Sequence, residues 1–140
     1  MAWLYQFLED ILGLYKEEFE FIFNRMYEET IYTKMGLLTL LISGGLMALF
    51  YFLYNNPYAK LLHWITAMLI SGVIVSIITF GVITSGLADY LVDSDLEVQD
   101  FTKNLRFWYA GLNFVLACIC SFLWSLILRK WSKIQMHIPF

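Results

Sequence analysis

Charge is scarce in this chain. Only 15% of its 140 residues are Asp, Glu, Lys or Arg, whereas an ordinary soluble domain carries about a quarter. Hydrophobic residues make up 60%, and the mean hydropathy of +0.65 argues against a disordered chain, a collagen-like one or a water-soluble enzyme. A basic surplus is missing too. The net charge is -3, so no basic face is available to neutralise nucleic-acid phosphates. Cysteine is limited to Cys118 and Cys120 in one apolar stretch, two residues apart on an expected helix and so pointing to different faces. They form neither a disulfide framework nor a chelating pair. Histidine is limited to His63 and His137. The chain shows no Gly-rich phosphate loop, nucleophile elbow, HExxH motif, lipidation box or glycosylation sequon. It also lacks a basic start followed by a small-residue cleavage site, so no signal peptide is read. An enzyme is not expected, nor any cofactor beyond structural lipid.

What the sequence has is long stretches without charge. Met35 to Ala59, Leu61 to Ala88 and Phe107 to Leu128 contain no Asp, Glu, Lys or Arg. A spanning helix needs about 20 apolar residues at a rise of about 1.5 Å each. The expected fold is therefore an all-α integral membrane protein with three transmembrane helices, preceded by an N-terminal amphipathic helix at the interface. No repeat or linker divides the chain, so one membrane domain is expected over 1–140. Its parts are an amphipathic helix over 1–33, spans over 35–55 and 58–87, a long helix over 95–131 containing the third span, and a basic tail over 132–140.

Local signals place the boundaries. Asn55, Asn56 and Pro57 form a short turn, with Asn56 as a cap and Pro57 at the first helical position, so the first two spans lie antiparallel. Ser94 and Glu97 have capping-box spacing, which starts the third helix near Asp95. That helix would be roughly 55 Å long, its first turns projecting into water as an acidic stalk. Asp93, Asp95 and Glu97 alternate as in a calcium loop, but Val98 stands where glycine is needed and Asn104 where the bidentate glutamate belongs. A solvated acidic cap explains them better. Tyr51, Tyr54, Tyr58, Trp64, Trp108, Tyr109 and Trp131 fall near the span borders and read as an aromatic belt.

The N-terminal segment has helical apolar spacing. Leu4, Leu8, Ile11, Tyr15, Phe19, Ile22 and Met26 form the expected partner-docking stripe, with Glu9, Asp10, Lys16, Glu17 and Glu20 outside it. Residues 1–34 carry seven acids and three bases, the reverse of a helix that seeks anionic lipid. A protein partner or a second copy suits it better. The basic cluster Arg129, Lys130 and Lys133, together with Lys60, favours a cytoplasmic or matrix-side C-terminus.

No acid or base interrupts a span, which argues against a proton relay or a charge-coupled transporter core. His63, near the start of the second span, is the one cofactor-ligand candidate, weighed against an interfacial His–Trp pair with Trp64. Small residues recur at helical steps: Gly72, Ser76, Gly81 and Ser85 in the second span, and Ala110, Asn113, Ala117 and Ser121 in the third. Such residues let helix backbones approach, or line a pore. Asn113 must face another helix or a cavity, because lipid leaves an amide unsatisfied. The expected function is a non-catalytic subunit of a larger membrane assembly of secretion, injection, respiratory or motor type. The alternative is a homo-oligomeric channel or pore, holin-like or effector-like. The expected partners are lipids and other membrane subunits or copies of the chain, and no nucleic acid.

Overall fold

The three charge-free runs fold as three long helices, and the N-terminal segment folds back onto one end of them. In the computed structural model, which describes residues 2–52, 61–92, 95–128 and 130, no strand occurs among the described residues. Helix α1 spans Ala2–Leu12, and a 3-10 turn covers Glu17–Phe19. Then follow α2 (Glu20–Glu28), α3 (Ile31–Phe52), α4 (Leu61–Gly86), α5 (Ala88–Val92) and α6 (Leu96–Leu128). Helices α3, α4 and α6 contain 22, 26 and 33 residues and are each long and apolar enough to cross a membrane.

Glycines set how closely these helices meet. A methyl group on Gly72 of α4 would come within 2.7 Å of the Phe114 ring on α6. One on Gly44 of α3 would come within 2.8 Å of the Trp124 indole, whose N–H donates to the Leu40 carbonyl at 3.3 Å. The ring fills space that a side chain would take, as in small-residue helix packing generally. The bundle is apolar outside: Leu41, Leu62, Ile70, Ile77, Val115 and Ile119 are all exposed. Its interior holds Ser43, Ser71, Thr79, Asn113, Ser121 and Ser125, all buried.

The N-terminal segment is not one helix over 1–33. It breaks at Gly13, whose φ of 62° is the left-handed conformation that glycine adopts without strain. The Gly13 amide donates to the Asp10 carbonyl and the Leu14 amide to that of Glu9, which is the Schellman pattern of a helix end. A second break lies at Thr30, with φ of 55°, between α2 and α3.

Helix α6 starts at Leu96, beside the expected Asp95, but its first turns are not a free stalk. Phe101 stacks on Phe19 with centroids 4.1 Å apart, the Lys16 ammonium lies 5.7 Å from the same ring, and Thr102 and Leu105 are buried. The N-terminal segment covers what was expected to stand in water. The aromatic belt is corrected in the same way. Tyr51 and Trp64 turn inward to Ser125, at 2.5 and 2.9 Å, and Tyr109 is fully buried, while Trp108 faces outward. The Asn55–Pro57 turn, Lys60, Asp93, Ser94, Arg129 and residues 131–140 lie outside the described residues.

Candidate functional site

The most chemically distinctive place in the molecule is where α1 crosses α3 and α6. Tyr5 and Glu9 stand one turn apart on α1 and face the bundle. The Tyr5 hydroxyl donates to Asn113 Oδ1 at 2.7 Å, and Asn113 Nδ2 donates to Thr79 Oγ1 at 3.0 Å. One amide near the middle of α6 thus joins α1 to α4. A turn away, Glu9 Oε1 accepts hydrogen bonds from Tyr32 of α3, at 2.7 Å, and from Tyr109 of α6. The rings of Tyr5, Tyr32 and Tyr109 surround the carboxyl, with centroids 5.7 to 6.2 Å apart.

Glu9 is only 3% exposed. Burial pushes its carboxyl up to about 7; the Tyr32 hydroxyl opposes the rise and the Asp10 charge adds to it. Burial likewise pushes the Tyr5 phenol up to about 12. This is an acid that changes charge near neutral pH while held in place by two phenols. Oε1 takes both hydroxyls, and Oε2 has no hydrogen-bond partner among the described residues.

Beside Glu9 lies a half-open cavity of about 520 Å³, bounded by α1, Tyr15, α2 and the start of α3. Its walls carry Gln6, Asp10 and Asn24, along with the rings of Phe23 and Tyr27. Tyr15 and Phe23 meet at 5.2 Å between centroids.

Of the expected packing positions, Gly72, Asn113, Ala117 and Ser121 are buried between the long helices, and Ser121 donates to Ser71 Oγ at 3.2 Å. Ser76 donates to the Ala110 carbonyl at 2.9 Å, joining those two half-buried positions across α4 and α6. Gly81 and Ser85 face outward. His63 is exposed on the first turn of α4, whereas its neighbour Trp64 turns into the bundle. In the N-terminal stripe, Ile22 and Met26 are buried within the chain itself, Leu4, Leu8 and Phe19 are half-buried, and Ile11 and Tyr15 are exposed.

The sequence reading missed Tyr5, Glu9, Tyr32 and Tyr109 as a group. It placed Glu9 on the polar face, whereas Glu9 is the buried centre of the junction. The available signal was the spacing of Tyr5 and Glu9, which share a helix face.

Comparison with protein-family models, with curated proteins and with solved structures finds no match to this chain.

Proposed function

We propose that this chain is a small integral membrane protein whose α3, α4 and α6 cross the bilayer, and that it works as a non-catalytic packing subunit of a larger membrane assembly. One observation carries the reading. The polar groups of the long helices bond to one another within a single chain, through Asn113 to Thr79, Ser121 to Ser71 and Trp64 to Ser125. A surface made of Leu, Ile and Val is left outside, suited to lipid and to neighbouring helices. Gly81 faces outward with open space around it, where another backbone can close in.

The two N-terminal helices suggest where the bilayer ends. Helix α1 turns Trp3, Phe7 and Ile11 outward, whereas α2 buries Ile22 and Met26 and exposes Glu20 and Glu28. An apolar exterior suits lipid and a charged one suits water, although Asp10 on α1 and Phe21 and Tyr27 on α2 are exposed too; the proposed boundary is the turn from Gly13 to Lys16. The basic residues Lys130 and, beyond the described residues, Arg129 and Lys133 favour a cytoplasmic or matrix-side C-terminus.

A homo-oligomeric pore would need a polar stripe pointing outward. Ser71 and Thr79 point inward instead, and the outer hydroxyls of Thr66 and Ser85 bond to carbonyls of their own helix. The discriminating experiment is the mass and composition of the native particle, extracted in mild detergent through a tag on this chain. The subunit reading expects other polypeptides in stoichiometric amounts. Several copies of this chain alone, conducting ions in planar bilayers, would replace it with the pore.

A further inference from the structure

We propose that the cavity beside Glu9 is a binding site for an alkylammonium group, held by the carboxylates of Glu9 and Asp10 and the rings of Tyr15, Phe23, Tyr27 and Tyr32. Its charge is one-sided. Two acids line the cavity, and no Lys, Arg or His among the described residues does. The bases nearest in sequence are engaged elsewhere: Arg25 pairs with Glu29 at 3.1 Å, and Lys16 lies over Phe101. A buried carboxylate without a counter-ion is costly, so the site gains from a cation supplied from outside.

The acceptor is already aimed. Glu9 is 97% buried, its Oε1 is fixed by two tyrosine hydroxyls, and Oε2 remains unpartnered on a residue that lines the cavity. Tyr15, Phe23, Tyr27 and Tyr32 contribute to the remaining wall. Aromatic faces attract weakly hydrated organic cations, and rings around a quaternary ammonium are the usual form of such a site. A calcium site is usually built on several carboxylates, and here only Glu9 and Asp10 supply them among the described residues. The volume of about 520 Å³ falls within the range of small-molecule sites, about 300–1,000 Å³.

The same chemistry is carried by a free amine in water and by a choline or ethanolamine lipid headgroup. Both can reach a cavity at the turn where α1 gives way to α2. The groups facing Glu9 are Asp10 and Tyr5 from its own helix, Tyr32 from α3 and Tyr109 from α6, acids and phenols throughout. Binding therefore tightens as pH rises through about 7, where the Glu9 carboxyl ionises. The site is independent of whether the chain serves an assembly.

The test is calorimetric titration of the full chain, in a maltoside detergent free of choline, with choline and tetramethylammonium at pH 6 and pH 8. Saturable binding is expected, tighter at the higher pH, about tenfold weaker in Glu9→Gln and severalfold weaker in Tyr27→Ala. Glu9→Gln keeps an acceptor for both phenols, and Tyr27 is 60% exposed, so the second variant tests the site without touching the buried network. Repeating the titration in nanodiscs separates the sources. A headgroup site is occupied in phosphatidylcholine and accepts choline only in phosphatidylglycerol, whereas a site for soluble amines accepts choline in both. No saturable binding in maltoside at either pH, or binding that both variants leave unchanged, overturns the proposal.

Discussion

Tyr5 and Asn113 stand 108 positions apart in the sequence and share a 2.7 Å hydrogen bond in the interior. Asn113 also donates to Thr79, so its amide serves α1 and α4 at once. Asn113→Leu keeps the approximate volume and removes both bonds, leaving two buried hydroxyls unpaired. Each such group costs about 1–3 kcal/mol. The expected result is a lower unfolding midpoint in mixed detergent and faster proteolysis after Leu12 as α1 loosens. Unchanged stability with altered conductance would instead mark Asn113 as a pore-lining residue.

Two glycines of α4 predict opposite outcomes. Gly72→Ala drives a methyl group against the Phe114 ring, with Cys118 Sγ at 3.3 Å. It should destabilise the protein by about 1–3 kcal/mol. Gly81→Ala meets nothing within 4 Å and should stabilise the isolated chain by up to about 1 kcal/mol through helix propensity. Thermal unfolding of both variants in detergent checks the pair. Under the proposed subunit reading, Gly81→Ala is the more informative, because a methyl group there would obstruct a helix of a neighbouring subunit.

Glu9 makes stability depend on pH in an unusual direction. Its folded-state value is raised from 4.5 to about 7, so between those values the folded chain holds a proton that the unfolded chain has released. Stability is then greatest below about 4.5 and falls as pH rises through 7, by an amount on the order of 3 kcal/mol. Unfolding midpoints at pH 5, 6, 7 and 8 should decline for the native chain, and the Glu9→Gln variant should lose most of the slope.

Thr30 occupies a left-handed conformation, with φ of 55°. A β-branched residue is strained there, at a cost of about 1–2 kcal/mol. Thr30→Gly relieves the strain and should raise stability by up to about 1 kcal/mol, once the greater freedom of glycine in the unfolded chain is subtracted. A fall in stability would show that the Thr30 side chain contributes more than its backbone costs.

The long helices were legible because a lack of charge over 20 or more residues is a property of composition and needs no partner to be read. Their ends were nearly so: Asp95 was expected to start the last helix and Leu96 does. The face that α1 turns inward was not legible, because hydrophobic periodicity assumes water outside. Judged that way, Leu4, Leu8 and Ile11 belong to the core and Glu9 to the surface. In the folded chain Tyr5 and Glu9 turn inward and Ile11 outward, the order that a lipid exterior favours. Gly13 is a candidate helix end in the sequence, but the apolar spacing continues beyond it and masks the break. Tyr109 looked like a border aromatic, and only the arrival of Glu9, from 100 positions earlier, shows it to be a hydrogen-bond donor.

That separation bears on how the protein is made. Helix α1 leaves the ribosome well before α6, which carries Tyr109 and Asn113. Until that helix is synthesised, Glu9 lacks one of its phenol donors and Tyr5 lacks its amide. Through that interval the Glu9 carboxyl lacks its buried setting, while α3 and α4 are made. Closure of Tyr5 and Glu9 onto the bundle therefore follows the synthesis of α6 through Asn113.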